Sequence, residues 1–295
     1  MLSGLIPLTL LTLVSGFHPE QSGTTSVRPT DVFLIAHQDD WQLFMGDVVF
    51  KGVRRGNQSV FVYLTAGNES HAPEYWRTRE HAALKSTRLA AGVPDSARVT
   101  CARVPVRTRG IERCTIANTT SYFLRLPDGR RDGSGFAHNA FQSLRKLRAT
   151  RISAIRAVDT SATYSGWSEL IATVEEIIRR ERTTGSPVTV HANDPNAAIN
   201  PGDHSDHQLT GLVATAMRSR APAEVIYYVG YALAARPDNR TRAQTREKSA
   251  LFLAYDREML IANRAWSTYA ERPRFYSMCM LRTYARKVRA PRAVP

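Results

Sequence analysis

The stretch 32-VFLIAHQDDWQLFMGD-47 joins an apolar run to a histidine and two adjacent aspartates. A short continuous apolar run is typical of a parallel strand that is covered on both faces of its sheet. Ionisable side chains directly after such a strand indicate either a solvated loop or part of a ligand site. This segment alone does not decide between the two.

From residue 31 onward, strand-like and helix-like segments alternate. Strand patterns recur at 59-SVFVYLTAG-67, 187-PVTVHA-192 and 225-VIYYVGY-231. The segment 74-EYWRTREHAALKSTRLAAG-92 is typical of a long helix that ends at Gly92. The alternation predicts an α/β fold with a Rossmann-like, doubly wound, mostly parallel sheet.

Two regions modify this pattern. Residues 97–137 are rich in β-branched, basic and turn-forming residues and predict a β-hairpin insertion that ends in a Gly-rich loop, 127-PDGRRDGSG-135. Helices are predicted again near 139–149 and over 248–266, the second after a polar segment. Because no linker or internal repeat divides the chain, we predict a single domain over residues 31–295.

The N-terminus differs from the rest of the chain. An apolar run, 5-LIPLTLLTLV-14, is followed by small residues and then by a polar segment at 17–30. This order is typical of a secretory signal peptide over residues 1–16, and the alternative is a buried helix or strand. With a signal peptide, we expect the protein to be secreted or periplasmic. No apolar window has the ~18 residues expected of a spanning helix, so no transmembrane segment is predicted.

The composition, with 43% hydrophobic and 22% charged residues, is that of a globular protein. The net charge is +14, and 35 of the 40 basic residues are arginine. Arginine binds phosphate and carboxylate groups in a bidentate manner, so an anionic glycan, a lipid head group and a nucleic acid are all compatible with this charge. A codon-composition bias without any binding role explains it equally well.

The three cysteines, Cys101, Cys114 and Cys279, fit either redox compartment. In an exported protein, Cys101 and Cys114 flank a short basic segment and are placed to bridge a hairpin, which leaves Cys279 free. Three unpaired thiols are the alternative. The sequence has no CxxC, so it does not support a cysteine-ligated zinc site.

Two distant segments carry the residues suited to metal chemistry. His37, Asp39 and Asp40 follow the first predicted strand, and 203-DHSDH-207 follows the strand that ends near His191. In an open α/β sheet, ligands bind outside the carboxyl ends of the strands, so both segments are expected at one edge. Either segment alone is commonly a coincidence or a helix N-cap. Together, two histidines and a carboxylate predict a catalytic zinc site.

The segments 36-AHQDD-40 and 204-HSDH-207 resemble the two signature segments, AHPDDE and HPDH, of the zinc-dependent GlcNAc-phosphatidylinositol de-N-acetylase family (PIG-L/LmbE-like). The order of the surrounding segments is also similar: 64-LTAG-67 ends a strand after the first segment, and Arg79 and Glu80 lie in the following helix. The similarity spans about residues 31–231. It implies an LmbE-like fold.

By position, the resemblance implies that His37, Asp40 and His207 bind Zn²⁺. It implies that Asp39 is the general base, and that His204, oriented by Asp206 and protonated, stabilises the oxyanion. Gln38 replaces the usual proline and Trp41 the usual glutamate of the family. Neither is an expected ligand, so these departures leave the metal site intact and put the substrate subfamily in doubt.

These observations predict a zinc-dependent hydrolase that removes the N-acetyl group from an N-acetylglucosamine-type amino sugar of a glycan or glycoconjugate. Arg130 and Arg131 either meet an anionic form of this substrate or belong to a plain hairpin turn. No nucleic acid partner is expected. The alternatives are a zinc amidohydrolase for another N-acyl group, of a lipid or an antibiotic, and a non-catalytic basic protein that binds glycan or nucleic acid.

Overall fold

The computed structural model describes residues 28–69, 72–220 and 223–288. The predicted signal peptide and most of the polar segment at 17–30 lie outside the described residues. The domain boundaries at residues 31 and 295 stay predictions.

Eight of the described strands form one sheet in the order β10-β9-β8-β1-β2-β5-β4-β3. The two remaining described strands, β6 and β7, pair with each other in a short separate ribbon. The strands are β1 (Thr30–Ile35), β2 (Gln58–Thr65), β3 (Thr100–Val106), β4 (Arg109–Ile116), β5 (Thr119–Leu126), β6 (Ile155–Arg156), β7 (Thr163–Tyr164), β8 (Val188–Asn193), β9 (Glu224–Tyr228) and β10 (Ala285–Val288).

The centre of the sheet is parallel, which confirms the predicted fold class. β1 pairs in parallel with β2 on one side and β8 on the other, β2 pairs with β5, and β8 pairs with β9. Antiparallel strands, β10 at one end and β4 and β3 at the other, complete it. The predicted insertion at 97–137 therefore contains a hairpin, β3–β4, that extends the sheet, and also a strand of the parallel core, β5.

Helices cover both faces of the sheet. They are α1 (Asp40–Phe44), α2 (Gly46–Arg54), α3 (Pro73–Ala91), α4 (Leu144–Arg148), α5 (Trp167–Glu181), α6 (Ser205–Arg220), α7 (Arg242–Ala262), α8 (Thr268–Glu271) and α9 (Pro273–Met280). The helix predicted near 139–149 is shorter than expected, because only 144–148 are helical. α7 begins earlier than predicted, because Thr241 and Gln244 form a capping box at its N-terminus.

Alternate side chains of β1 face opposite layers of the core. Val32 and Leu34 pack in a cluster with α4, α5 and α6, whereas Phe33 and Ile35 pack in a cluster with α2, α3 and α7. All four side chains are at most 1% exposed. Burial of an apolar side chain of this size contributes roughly 1.5–3 kcal/mol, so the first strand is anchored from both faces.

The β3–β4 hairpin carries a disulfide bond. Cys101 and Cys114 lie opposite each other in the register of the hairpin and are bonded, whereas Cys279 is a buried free thiol. The structure thus has the Cys101–Cys114 bridge with Cys279 free, and not three unpaired thiols. None of the helices in the described ranges has the length and apolar character needed to cross a membrane.

The chain direction places a site between β1 and β8. From β1 the chain continues through β2 to β5 on one side of the sheet, and β8 and β9 lie on the other side. The connections that leave the carboxyl ends of β1 and β8 therefore separate at this point and leave a crevice, where ligands of such folds bind. His37 and 203–207 lie in these two connections.

Candidate metal centre and active site

A polar cavity opens at the carboxyl ends of β1 and β8. Its volume is about 80 Å³, well below the ~300–1,000 Å³ typical of sites that enclose a whole small molecule. Its walls come from the loop after β1, the loop after β5, the start of α3 and α6, and the C-terminal helices α8 and α9. The lining residues are His37, Asp39, Asp40, Leu43, Glu69, Tyr75, Arg79, Asp128, His204, Tyr231, Thr268, Glu271 and Tyr276.

His37 and Asp40, which line the cavity, are brought together with His207, which is fully buried beside them. His207 Nε2 lies 3.0 Å from Asp40 Oδ1 and 3.3 Å from His37 Nδ1, and His37 Nδ1 lies 3.4 Å from Asp40 Oδ2. Ligand atoms at the usual 2.0–2.2 Å from a tetrahedral zinc ion are about 3.3–3.6 Å apart. Two imidazoles and one carboxylate with this spacing fit a zinc ion and leave room for a further ligand.

The outer nitrogen of each histidine faces a carboxylate. His207 Nδ1 donates to Asp203 Oδ1 at 2.9 Å, and His37 Nε2 lies 3.5 Å from Asp128 Oδ2 and 3.6 Å from Asp206 Oδ2. Metal-binding histidines usually present their second nitrogen to a carboxylate or carbonyl, which fixes the tautomer and the ring orientation. The surroundings of both histidines therefore fit the metal-binding role.

A second group of buried donors, centred on the other nitrogen of His37, fits a metal less well. It consists of His37, Asp128, His204 and Asp206. The spacings that involve His204 are longer, 3.8 Å from its Nε2 to Asp128 Oδ1 and 3.9 Å from its Nδ1 to Asp206 Oδ2. Asp206 Oδ2 also accepts a hydrogen bond of 2.8 Å from the Gly129 N–H. We therefore place the candidate metal at His37, Asp40 and His207.

The electrostatics of this triad favour a bound cation. Burial opposes the charge of each group, but the partners dominate: Asp40 raises the pKa of His37 well above its usual range, and Asp203 and Asp40 raise the pKa of His207 to about 10. Burial likewise opposes ionisation of Asp40, yet His207 and His37 hold its pKa well below the usual range. The carboxylates thus create a negative potential at the point where the three donors meet.

Asp39 lies beside the triad in a buried ion pair. Its Oδ1 accepts a short hydrogen bond from Arg79 Nη2. The same guanidinium donates from Nε to the Tyr255 hydroxyl at 2.9 Å and from Nη1 to the Gly67 carbonyl at 3.1 Å. Gly67 has a φ of +56°, and a Cβ there would lie 2.7 Å from Arg79 Nη1, so this residue must be glycine to admit the guanidinium.

His204 lies in the cavity, but Asp206 does not hold it in the predicted way. The main-chain N–H of Asp206 donates to His204 Nδ1 at 3.1 Å, and the carboxylate of Asp206 is turned toward Gly129 and His37. Burial, with further contributions from His37 and His207, lowers the pKa of His204. Both observations favour a neutral ring whose hydrogen is on Nε2 over the predicted imidazolium.

Two acidic residues of the site were missed in the sequence. Asp128 follows β5, and β5 was assigned to an insertion instead of to the parallel core. Asp203 precedes the HSDH segment and stands four residues before His207, and from just before α6 its carboxylate accepts from His207 Nδ1. Both are at most 4% exposed. The position after a parallel strand and the spacing to a ligand histidine were the available signals.

Gln38 and Trp41, the departures from the family pattern, are fully buried and do not line the cavity. Gln38 Nε2 donates to the Thr65 carbonyl, and Trp41 Nε1 donates to the Tyr63 hydroxyl, both at 3.0 Å. They connect the loop after β1 to β2. Their role in the described structure is to hold this loop, and neither has direct access to a substrate in the cavity.

Comparison with known families identifies a match over most of this region. Residues 32–217 match the model of the PIG-L family, GlcNAc-PI de-N-acetylase. The chain belongs to this family. The prediction from AHQDD and HSDH is thereby confirmed. Members of the family are N-deacetylases, which are hydrolases that cleave an amide C–N bond. No curated protein matched the chain.

Several solved structures are similar to this chain at low identity. N,N'-diacetylchitobiose deacetylase from Pyrococcus horikoshii is 14% identical, with 92% of this chain and 87% of that chain covered and a TM-score of 0.43. A deacetylase of the teicoplanin biosynthesis pathway is 14% identical over 90% of this chain and 100% of that chain, with a TM-score of 0.47. The A40926 pseudoaglycone deacetylase is 11% identical over 90% and 99%, with a TM-score of 0.45.

Proposed function

We propose that the protein is a zinc-dependent N-deacetylase that hydrolyses the acetamide of an N-acetylglucosamine-type sugar within a glycan or glycoconjugate. One observation carries the proposal: the donor atoms of His37, Asp40 and His207 are 3.0–3.4 Å apart, beside a cavity that Asp39 also lines. Those three residues would hold the zinc ion. A zinc ion there supplies Lewis acidity, which lets water lose a proton near neutral pH.

Asp39 is positioned to accept that proton. Arg79 occupies its Oδ1, which leaves Oδ2 as the basic atom. The buried ion pair with Arg79 fixes the direction of the Asp39 carboxylate. A general base must lie within hydrogen-bond reach of the proton it removes, and the Tyr255 and Gly67 contacts of Arg79 hold the pair in that place.

His204 is positioned to stabilise the oxyanion that forms on the amide carbonyl. Because its Nδ1 accepts the Asp206 N–H, the ring hydrogen is on Nε2 and is available to a negatively charged oxygen. A preorganised donor of this kind is worth about 10²–10³ in kcat. After the water oxygen has bonded to the carbonyl carbon, the C–N bond breaks and the proton held on Asp39 goes to the departing nitrogen. The products are the free amine of the sugar and acetic acid, which ionises to acetate.

The size of the cavity explains which part of the substrate enters. A volume of about 80 Å³ suits an acetamide group but not an oligosaccharide, so the sugar rings lie across the mouth. Tyr75 and Tyr276 line the cavity, where they can offer aromatic surface to the sugar that carries the acetamide.

The proposal is tested by acetate release from chitotetraose and other N-acylated substrates. We expect about one zinc per chain in the wild-type protein and none in a His37→Ala/His207→Ala variant. Asp39→Asn should retain zinc and release no acetate, whereas Asp95→Asn, an exposed control, should behave like the wild type. A zinc-free active enzyme, or turnover by Asp39→Asn, would contradict the proposal. Release of a longer acid but no acetate would indicate another N-acyl substrate.

We also infer that the protein is exported. The apolar run at residues 5–14 and the Cys101–Cys114 disulfide support this inference, because disulfides persist in oxidising compartments. N-terminal sequencing of the protein from its native host should begin after residue 16. A mature chain that retains residues 1–16 would contradict the signal peptide.

A further inference from the structure

The charge of the protein is concentrated in one segment close to the candidate active site. Residues 130–156 contain seven basic residues and a single acidic residue, within a chain whose net charge is +14. The segment begins in the loop after β5 and includes α4. The basic residues are Arg130, Arg131, Arg145, Lys146, Arg148, Arg151 and Arg156, and the acidic residue is Asp132.

Part of this segment encloses a second cavity, which we call the basic cavity. It is lined by Asp132, Gly133, Ser134, Arg145, Lys146, Ala149 and Arg151 and has a volume of about 390 Å³. This volume lies within the ~300–1,000 Å³ range typical of ligand sites. Three of its lining side chains are cationic and one is anionic.

The cations of the basic cavity are not neutralised by carboxylates. Arg145 donates from Nη1 to the Asp132 carbonyl at 2.7 Å, and Lys146 donates to the carbonyls of Ser134 and Phe141 at 2.8 and 2.7 Å. Within the described ranges, Arg151 has no side-chain partner. A guanidinium has five N–H groups and an ammonium three, so most donors of these side chains remain available to a ligand.

Several exposed arginines of the described structure are paired with acids: Arg179 and Arg180 bind Glu176, Arg220 binds Glu175, and Arg286 binds Asp194. The basic cavity instead brings together three cationic side chains, none of which has a carboxylate partner in the described structure. Guanidinium groups match carboxylate and phosphate oxygens in a bidentate manner, so the chemistry of the basic cavity suits an oxyanion.

The same loop connects the basic cavity to the active site. Asp128 and Gly129 contact the candidate catalytic residues, and Asp132 to Ser134, a few residues later, line the basic cavity. Four residues of extended chain span at most about 14 Å, so Asp132 lies within that distance of Asp128. Ser143 Oγ donates to the Gly133 carbonyl at 2.7 Å and further fixes the loop. The two cavities therefore share one short loop.

We propose that the basic cavity binds an oxyanion, carboxylate or phosphate, carried by the same glycan whose acetamide enters the active site. The proposal rests on the proposed deacetylase function and narrows its substrate to an anionic N-acetylated glycan. Arg151 is the principal anion-binding residue, because Arg145 and Lys146 are partly engaged by main-chain carbonyls.

The test compares the neutral chitotetraose with two anionic substrates, a hyaluronan tetrasaccharide and a phosphorylated chitotetraose. Arg151→Gln should raise KM for the anionic substrates about fivefold and leave kcat, and KM for chitotetraose, unchanged. Arg151→Glu should raise KM for the anionic substrates about tenfold or more, and this increase in KM should become smaller as the salt concentration rises. Arg246→Gln is the matched control, since Arg246 is exposed on α7 at the opposite face of the sheet.

Direct binding of the same saccharides separates this proposal from the deacetylase function. If no substrate releases acetate but hyaluronan binding still weakens in Arg151→Gln, the basic cavity is supported and the proposed function fails. Equal effects of Arg151→Gln and Arg246→Gln, or equal KM changes for neutral and anionic substrates, would overturn the proposal. The proposal would also be overturned if Arg151→Gln weakened the binding of single-stranded DNA but left the binding of the saccharides unchanged. If Arg151→Gln raises KM for only one of the two anionic substrates, the anionic group of that substrate, carboxylate or phosphate, is the one that the basic cavity binds.

Discussion

Asp203 offers a sharp test of the metal centre, because it contacts the candidate zinc site only through His207. Its Oδ1 accepts from His207 Nδ1 at 2.9 Å and from the Tyr231 N–H at 3.1 Å, and its Oδ2 accepts from the Asn200 side-chain amide. Asp203→Asn keeps the shape and one acceptor. It removes the negative charge, and it places the new amide N–H group at position 203 next to the amide N–H group of Asn200, so that two donors face each other without an acceptor.

We expect Asp203→Asn to weaken zinc binding 10–100-fold, the usual effect of losing the carboxylate behind a ligand histidine. This loss corresponds to about 1.4–2.7 kcal/mol. Competition with a chromophoric chelator measures the affinity. Asp194→Asn is the control, because Asp194 is a buried acid of the same connection that pairs with Arg286 instead of a histidine. An affinity within twofold of the wild type, or the same loss in the control, would refute the assignment of His207 as a ligand.

Three further predictions concern the support of the site and the fold. Tyr255→Phe leaves the buried Arg79 Nε–H without its acceptor, so unfolding in urea should become about 1–3 kcal/mol easier and kcat should fall while KM is unchanged; an unchanged kcat would exclude a positioning role. Replacement of both Cys101 and Cys114 by alanine removes a disulfide between residues with a sequence separation of 13. The free energy of unfolding in urea should fall by about 3 kcal/mol, and the zinc content should be unaltered. Removal of zinc by a chelator should lower Tm, and zinc at 100 times its Kd should restore about 2.7 kcal/mol; a Tm indifferent to zinc would contradict the metal centre.

The parts of the site that could be predicted depend on one geometric rule. His37, Asp40 and His207 come from two connections that leave the carboxyl ends of neighbouring parallel strands, so alternation of strands and helices was enough to bring them together. Gly92 was predicted correctly as a helix terminus, because its φ of +70° is the left-handed conformation that glycine favours.

The remaining parts depend on contacts that no local pattern encodes. Asp128 could be placed only by knowing that β5 pairs with β2, and the basic segment around it had concealed that strand. The tautomer of His204 depends on a single main-chain N–H. Gln38 and Trp41, the departures that put the substrate subfamily in doubt, hold the loop after β1 to β2, because Gln38 Nε2 and Trp41 Nε1 find acceptors inside the protein.

The residues that line the active-site cavity come from two parts of the chain. The residues suited to chemistry belong to the segment that matches the family, 32–217, whereas Tyr231, Thr268, Glu271 and Tyr276 come from the residues beyond it. Substitutions in α8 and α9 can therefore change the lining of the cavity without replacing a candidate metal donor. We predict that exchange of these two short helices alters substrate choice and leaves zinc binding intact.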